Sequence, residues 1–236
     1  MTYSLLLIAW IVILGIPAAI ICLPWAILTG NVQPLYRAST FIVRTGYALA
    51  RINVQVSGRE LIPAKMACIF MANHVSNLDP PALLPNIPGR VSAFIKESLI
   101  RIPVFGLGLK LAEFIPVERS GDRESAADSV AAARQILVKG IHIMTFVEGT
   151  RSPDGRMLPF KKGPFYLAKE TGAPCIPVSI WGTETMMAKG SVRIRPGTAH
   201  VIFHPPINPG DYETREELMG AVRAAIASGL PEWMRS

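Results

Sequence analysis

The sequence predicts an α/β protein: a mixed, mostly parallel central sheet flanked by helices, with an N-terminal membrane-associated helical segment. Three observations predict it. Seven short apolar runs beyond residue 51 alternate with helix-like stretches, the pattern of strand–helix units feeding one sheet. Residues 3–29 carry no charged side chain, and the first charge in the chain is Arg37. Several apolar runs end in polar, turn-forming clusters, and open α/β sheets bind ligands at such strand ends. The 236 residues suit an α/β domain over 52–236 with a helical membrane-anchoring appendage over 1–51.

Half of the residues are hydrophobic and only 17% are charged, which points to a membrane, and the formal net charge of +7 points to a negatively charged partner. An anionic lipid surface, a phosphorylated substrate and nucleic acid all carry that charge. A nucleic-acid module is disfavoured, because the basic residues are not interleaved with exposed aromatics and no recognition motif occurs. Cys22, Cys68 and Cys175 are odd in number, widely spaced and set in apolar surroundings. They read as buried free thiols of a reducing compartment. No Cys or His spacing suggests a metal.

Residues 3–29 are long enough to span a bilayer. No basic region precedes them and no small-residue cleavage pattern follows, so they do not read as a signal peptide. Pro17 and Pro24 divide the stretch, which is either one kinked spanning helix or two short helices that dip into one leaflet. Tyr3, Trp10 and Trp25 are expected at headgroup level. Residues 34–52 read as a helix on which Arg37, Arg44 and Arg51 form one basic stripe, drifting about 20° per heptad, suited to an anionic lipid surface. If the first segment spans, these arginines place the remainder in the cytoplasm by the positive-inside rule.

Strands are expected at 52–57, 67–72, 91–95, 112–117, 141–147, 174–181 and 199–204. Helices are expected at 79–86, 97–101, 104–111, 122–139, 163–171 and 213–228. Gly140 follows the helix over 122–139 as its stop signal. Pro177 inside the strand over 174–181 suggests an edge strand or a bulge, and a place for a pocket wall.

The central cluster is Asn73-His74-Val75-Ser76-Asn77-Leu78-Asp79-Pro80. It follows an apolar strand, and Asp79 reads as a helix N-cap with Pro80 at the first helical position. Positions five apart on one helix point about 140° apart, so His74 and Asp79 meet only if the turn folds them together. Together they would form a general base and its orienting carboxylate. A second cluster, Phe114 to Ser120, closes a strand, and its Arg119 is placed to fork a phosphate there. A third runs Phe146-Val147-Glu148-Gly149-Thr150-Arg151-Ser152. There Glu148 offers a carboxylate, Gly149 lets backbone approach a ligand, and Thr150 and Arg151 donate to oxyanions. His142, His200 and His204 lie in strand-like stretches and are assigned no function.

These clusters resemble the glycerolipid acyltransferase family, specifically the bacterial 1-acyl-glycerol-3-phosphate (lysophosphatidic acid) acyltransferases. The family's N-H-x-S-x-x-D block is matched by Asn73, His74, Ser76 and Asp79. Its F-P-E-G-T-R-S block is matched by Phe146 and Glu148 to Ser152, with Val147 where the family usually has proline. An apolar strand ending in arginine is matched by Ile115 to Arg119, with Glu113 where a glycine is common. An apolar strand with Pro-Val is matched by Ile176-Pro177-Val178. Lys96-Glu97, Ile102-Pro103 with Gly106, and Phe160 to Gly163 add to the likeness, which covers about residues 58–207.

The resemblance implies transfer of an acyl group from acyl-CoA or acyl-carrier protein to a lysophospholipid hydroxyl, here the sn-2 hydroxyl of 1-acyl-glycerol 3-phosphate. It implies His74 and Asp79 as the catalytic dyad. Arg119, Gly149, Thr150 and Arg151 would hold the acceptor phosphate, and Glu148 would order Arg151 or the glycerol hydroxyls. Asn73, Ser76, Lys96 and Pro177 would support the site. It implies no metal and no cofactor beyond the acyl donor as co-substrate, and a place on the cytoplasmic face of the inner (plasma) membrane. The alternatives within the fold are another lysophospholipid, glycerol 3-phosphate, or transacylation. Outside it, the alternative is a non-catalytic lipid-binding membrane protein.

Overall fold

The computed structural model describes residues 2–117 and 123–235. The chain opens with a long helix α1 (Thr2–Thr29) and α2 (Gln33–Leu49), then runs β1 (Ile52–Ser57), β2 (Ile69–Ala72), α3 (Asp79–Leu83), β3 (Val91–Lys96), α4 (Glu97–Ile100), α5 (Phe105–Leu111) and β4 (Ile115–Val117). It continues with α6 (Arg123–Val138), β5 (His142–Phe146), α7 (Gly163–Thr171), β6 (Cys175–Trp181), α8 (Thr183–Met186), β7 (Gly197–Phe203) and α9 (Arg215–Ser228). The expected α/β class is the one observed. Each expected strand is present within three residues at either end.

The strands form one sheet in the order β1-β7-β6-β2-β5-β3-β4. All neighbours pair in parallel except β6 and β7. The C-terminal ends of β2 to β6 therefore share one edge of the sheet with the N-terminal ends of β1 and β7. Alternation along each strand divides the core into two layers. Phe70 and Ala72 face the layer that holds Leu7 of α1 and Tyr47 of α2. Ile69 and Met71 face the layer that includes Ala133, Leu167 and Val222 from α6, α7 and α9.

Pro177 does not mark an edge: β6 lies between β7 and β2. Its missing N–H falls where β7 has already ended, while its carbonyl accepts the His204 N–H at 3.0 Å. The irregularity lies in the partner chain. Cys175 pairs with Ile207 rather than residue 206, so three residues (204 to 207) advance against two (177 to 175), as in a β-bulge.

At 1.5 Å per residue α1 is about 42 Å long, unbroken at Pro17 and Pro24, and among the described residues it is the helix long and apolar enough to cross a membrane. Most of its large side chains, Ile8, Ile13, Ile20 and Leu28 among them, are exposed. Yet it meets the domain near both ends. Ser4 Oγ accepts the Ile194 N–H at 2.9 Å, and Cys22, Leu23 and Ala26 are buried, on the stretch where α1 also touches α5. Ser4 and Leu23 lie about 28 Å apart along the helix axis. α1 thus lies along the domain as one helix, not as two short ones.

Trp10 is turned onto α2, its indole N–H donating to Thr45 Oγ1 at 3.1 Å. One expectation for the helical pair needs correction. Arg51 is off the helix, at φ 55° beyond the end of α2, so the basic stripe stops at Arg44, whose guanidinium donates to the Pro85 carbonyl at 3.0 Å.

Glu113 occupies the turn between α5 and β4 at φ 62°, the left-handed conformation that glycine adopts without strain. Its carboxylate bonds Arg90 at 3.1 Å and also Lys139.

Candidate active site

The adjacent parallel strands β6, β2 and β5 end at one place and feed three loops. β2 leads into Asn73 and His74, β5 into Val147 to Ser152, and β6 into Gly182 and Thr183. The β2 turn is pinned from both sides. Asn73 replaces the next rungs of the ladder with its side chain: its amide donates to the Ile180 carbonyl at 2.7 Å and its Oδ1 accepts the Ile180 N–H at 2.7 Å. On the other side His74 C=O accepts the Ser152 N–H at 2.8 Å, and the His74 N–H donates to Glu148 Oε1 at 3.0 Å.

The turn brings His74 and Asp79 together. Nδ1 of His74 lies 2.7 Å from Asp79 Oδ2. The same Oδ2 accepts the N–H groups of Val75 at 2.7 Å and Ser76 at 2.8 Å, and Oδ1 accepts the Thr183 hydroxyl. Asp79 is 0% exposed and Asn73 and Ser76 are buried with it. Asp79 is therefore not the N-cap. It is the first residue of α3, after Leu78, and no side-chain cap bond forms, because its carboxylate is turned back over the preceding turn. An acceptor-only carboxylate places the ring proton on Nδ1 and leaves the Nε2 lone pair free. The ring stacks on Phe146, centroids 3.9 Å apart, on the sheet face that carries α1 and α2.

Ser76 is not placed as a nucleophile. Its hydroxyl donates to the Met187 carbonyl at 2.7 Å and accepts the Leu78 N–H at 3.2 Å. Two contributors were invisible in the sequence. Thr183 reaches Asp79 from the start of α8, and the Tyr47 hydroxyl donates to the Leu78 carbonyl at 2.7 Å from α2. No motif spacing signals either, since each partner is brought in by long-range packing.

Glu148 is 1% exposed, and its oxygens accept the His74 N–H and, at 3.0 Å, the Leu158 N–H. Both oxygens are held on backbone, and Glu148 has no ion pair with Arg151 among the described residues. Burial pushes its carboxyl up to about 7, with the nearby Asp79 charge adding to the rise and the two N–H bonds opposing it. Gly149 has φ 70°, and a Cβ there would sit 3.0 Å from Lys161 Cγ, so this position needs glycine. Val147, where the resemblance expects proline, donates its N–H to the Ala72 carbonyl at 3.0 Å, one more bond between β5 and β2.

Thr150 and Arg151 are half-buried at the loop, and the Arg151 guanidinium has no ion-pair partner among the described residues. Arg119 lies outside the described residues. Lys96 is exposed at the end of β3, on the same sheet edge. Pro177 is opposite Met71, three residues back from His74 and buried in the sheet, so it supports the strand rather than walling the site. His142 is buried and kept below its ordinary range by that burial, its Nδ1 accepting the Cys68 N–H at 3.0 Å. His204 donates from Nε2 to Ser179 Oγ at 2.7 Å, and that hydroxyl gives its proton to the Ile226 carbonyl. Neither histidine belongs to the site.

The edge thus combines an imidazole held by a buried carboxylate with an arginine that has no ion pair among the described residues, next to the sheet face that carries a long apolar helix. Residues 53–181 match the model of the acyltransferase family, more than half of the chain, and the chain belongs to that family. It is 30% identical, over 97% of its length, to a 1-acyl-sn-glycerol-3-phosphate acyltransferase of Chlamydomonas reinhardtii, covering 69% of that protein. It is 37% identical to the chloroplastic enzyme BAT2 of Brassica napus over 64% of its length, and spans 44% of that longer protein. The crystal structure of the 1-acyl-sn-glycerophosphate acyltransferase PlsC from Thermotoga maritima superposes with a TM-score of 0.83 at 28% identity, covering 97% of this chain and 93% of that one.

Proposed function

We propose that this acyltransferase moves a fatty acyl group from an acyl thioester, acyl-CoA or acyl-carrier protein, to the sn-2 hydroxyl of 1-acyl-glycerol 3-phosphate, giving phosphatidic acid. The observation that carries the reading is the His74–Asp79 pair at the sheet edge that also holds Arg151 and the α1–α2 pair. The names of the relatives supply the acceptor.

In this mechanism Nε2 of His74 takes the hydroxyl proton while Asp79 steadies the imidazolium. The hydroxyl oxygen bonds to the thioester carbonyl carbon, the tetrahedral intermediate collapses, and the carbon–sulfur bond breaks. The departing thiolate takes the proton back from His74. A positioned base of this kind contributes roughly 10²–10⁴-fold. The acceptor phosphate is held by Arg151 with Thr150 and the Gly149 backbone, and by Arg119. Asn73, Ser76 and Glu148 hold the turn in which the base sits.

α1 supports the membrane reading by its exposed apolar surface. A helix fixed to the domain near both ends lies flat in one leaflet, with the site at the lipid surface where lysolipid is dissolved. The cytoplasmic face of the inner membrane suits carried acyl thioesters. It also suits three free, buried cysteines, two of them raised by burial, Cys68 to about 11 and Cys175 to about 12.

The test is an acceptor panel with acyl-CoA and with acyl-carrier protein, run on the full chain and on His74→Ala and analysed by mass spectrometry. Phosphatidic acid should form from wild type and fall to background in the variant. Preferential acylation of a headgroup-bearing lysophospholipid would overturn the acceptor assignment. Thioester consumption indifferent to His74 would overturn the mechanism.

A further inference from the structure

The segment between α8 and β7 has no part in the chemistry above, yet it is bonded to three functional parts of the molecule. Met187 C=O accepts the Ser76 hydroxyl at 2.7 Å, beside the base. Lys189 Nζ donates to the Arg151 carbonyl at 2.7 Å, on the phosphate loop. The Ile194 N–H donates to Ser4 Oγ at 2.9 Å, on α1. Its base is closed by the Arg195 N–H to Met186 C=O bond at 3.0 Å. Because β6 and β7 are antiparallel, the segment connects them at the sheet edge that carries the site.

Its outer surface is composed for lipid. Val192 is 86% exposed, flanked by exposed Lys189, Arg193 and Arg195. None of these three cations has an acidic ion-pair partner among the described residues. An isolated apolar tip ringed by unpaired cations suits an interface where hydrocarbon underlies anionic headgroups. Continuity with α1 through the Ser4–Ile194 bond selects a membrane as the occupant.

We propose that residues 188–196 form a second membrane contact. Val192 enters the headgroup boundary, and Arg193 and Arg195 bind anionic phospholipid headgroups. The proposal rests on the reading of α1 as lying in the leaflet. By the Lys189 bond to Arg151, and through the adjoining Met187 that bonds Ser76, the loop fixes the height of the base and phosphate grip above the lipid surface.

The test uses the full-length protein and vesicles of phosphatidylcholine with and without phosphatidylglycerol, read by co-sedimentation. Wild type should bind neutral vesicles through α1 and bind more tightly as phosphatidylglycerol is added. The Arg193→Ala/Arg195→Ala variant should keep neutral binding and lose roughly thirtyfold in affinity for the anionic vesicles, about fivefold per arginine. An environment-sensitive dye on Val192→Cys should shift to the blue on adding anionic vesicles. An unchanged anionic increment in the double variant, or an unshifted dye while the protein is bound, overturns the loop contact and leaves the α1 reading intact. Failure of wild type to bind either vesicle overturns the α1 reading and the proposal with it.

Discussion

Glu148 acts on His74 through the backbone: Oε1 accepts the His74 N–H at 3.0 Å, and the two side chains have separate partners. The Glu148 carboxyl thus shapes the turn through the backbone, while Asp79 is the carboxylate that meets the imidazole. The raised value of Glu148, about 7 against an ordinary 4.5, has a sign that can be measured. Between these values the folded protein holds a proton that the unfolded chain has released. Stability therefore falls as pH rises through this window, and the loss is complete above it. Glu148→Gln should flatten the fall in melting temperature between about pH 5 and 7.5. It should also be less stable by about 1–3 kcal/mol at the acid end, because one backbone N–H then faces an amide donor. Equal slopes in the two proteins would remove Glu148 as the source.

Thr183 completes the bonds to a fully buried carboxylate. Thr183→Val keeps the shape and removes the donor, at a cost of about 1.5–3 kcal/mol for a bond to a charged group. Turnover should drop with the acceptor KM unchanged, and Thr183→Ser should restore both turnover and stability. Wild-type kcat in Thr183→Val would show that Asp79 is held well enough by its N–H donors alone.

His74→Ala and Arg151→Ala should fail in different ways. Loss of the base lowers kcat by roughly 10²–10⁴-fold with little change in acceptor binding. Loss of the guanidinium removes a charge-assisted bond of about 1.5–3 kcal/mol, and should raise the acceptor KM by tenfold or more. Steady-state kinetics with a lysolipid in mixed micelles separates the two. An unchanged acceptor KM in Arg151→Ala would sink the phosphate assignment.

At Glu113, two substitutions separate strain from charge. Both Ala and Gly lose the pairs with Arg90 and Lys139. Only Gly relieves the φ of 62°. Glu113→Gly should therefore be more stable than Glu113→Ala by about 1 kcal/mol, measurable as a difference in denaturation midpoint. Equal midpoints would mean that the turn relaxes when the ion pairs are gone.

The strands and the His74–Asp79 contact were legible for a common reason. Apolar runs ending in Asn73-His74 and in Phe146-Val147 already say where a sheet stops and chemistry begins, and the five-residue separation of His74 from Asp79 left a tight turn as the way to join them. What could not be read was which atoms a side chain would find. Asp79 before Pro80 looks like a cap. It turns back because Val75 and Ser76 present their N–H groups on the other side. Glu148 looks like a partner for Arg151, three residues along, but its oxygens accept the N–H groups of His74 and Leu158. Pro177 looks like an edge because sequence does not show that β7 stops beside it. Thr183 lies 104 residues from Asp79 and carries no local signal.

The attachment of α1 near both Ser4 and Leu23 bears on how the protein would reach a membrane. In the flat placement proposed above, neither end of the helix reaches the far side of a bilayer. No polar segment would then have to be carried through hydrocarbon, and entry would follow folding as a partition of the finished molecule, with no need for a translocation machine. The arginines after α1 would not choose an orientation during insertion, and the folded protein would work on the leaflet that it first meets.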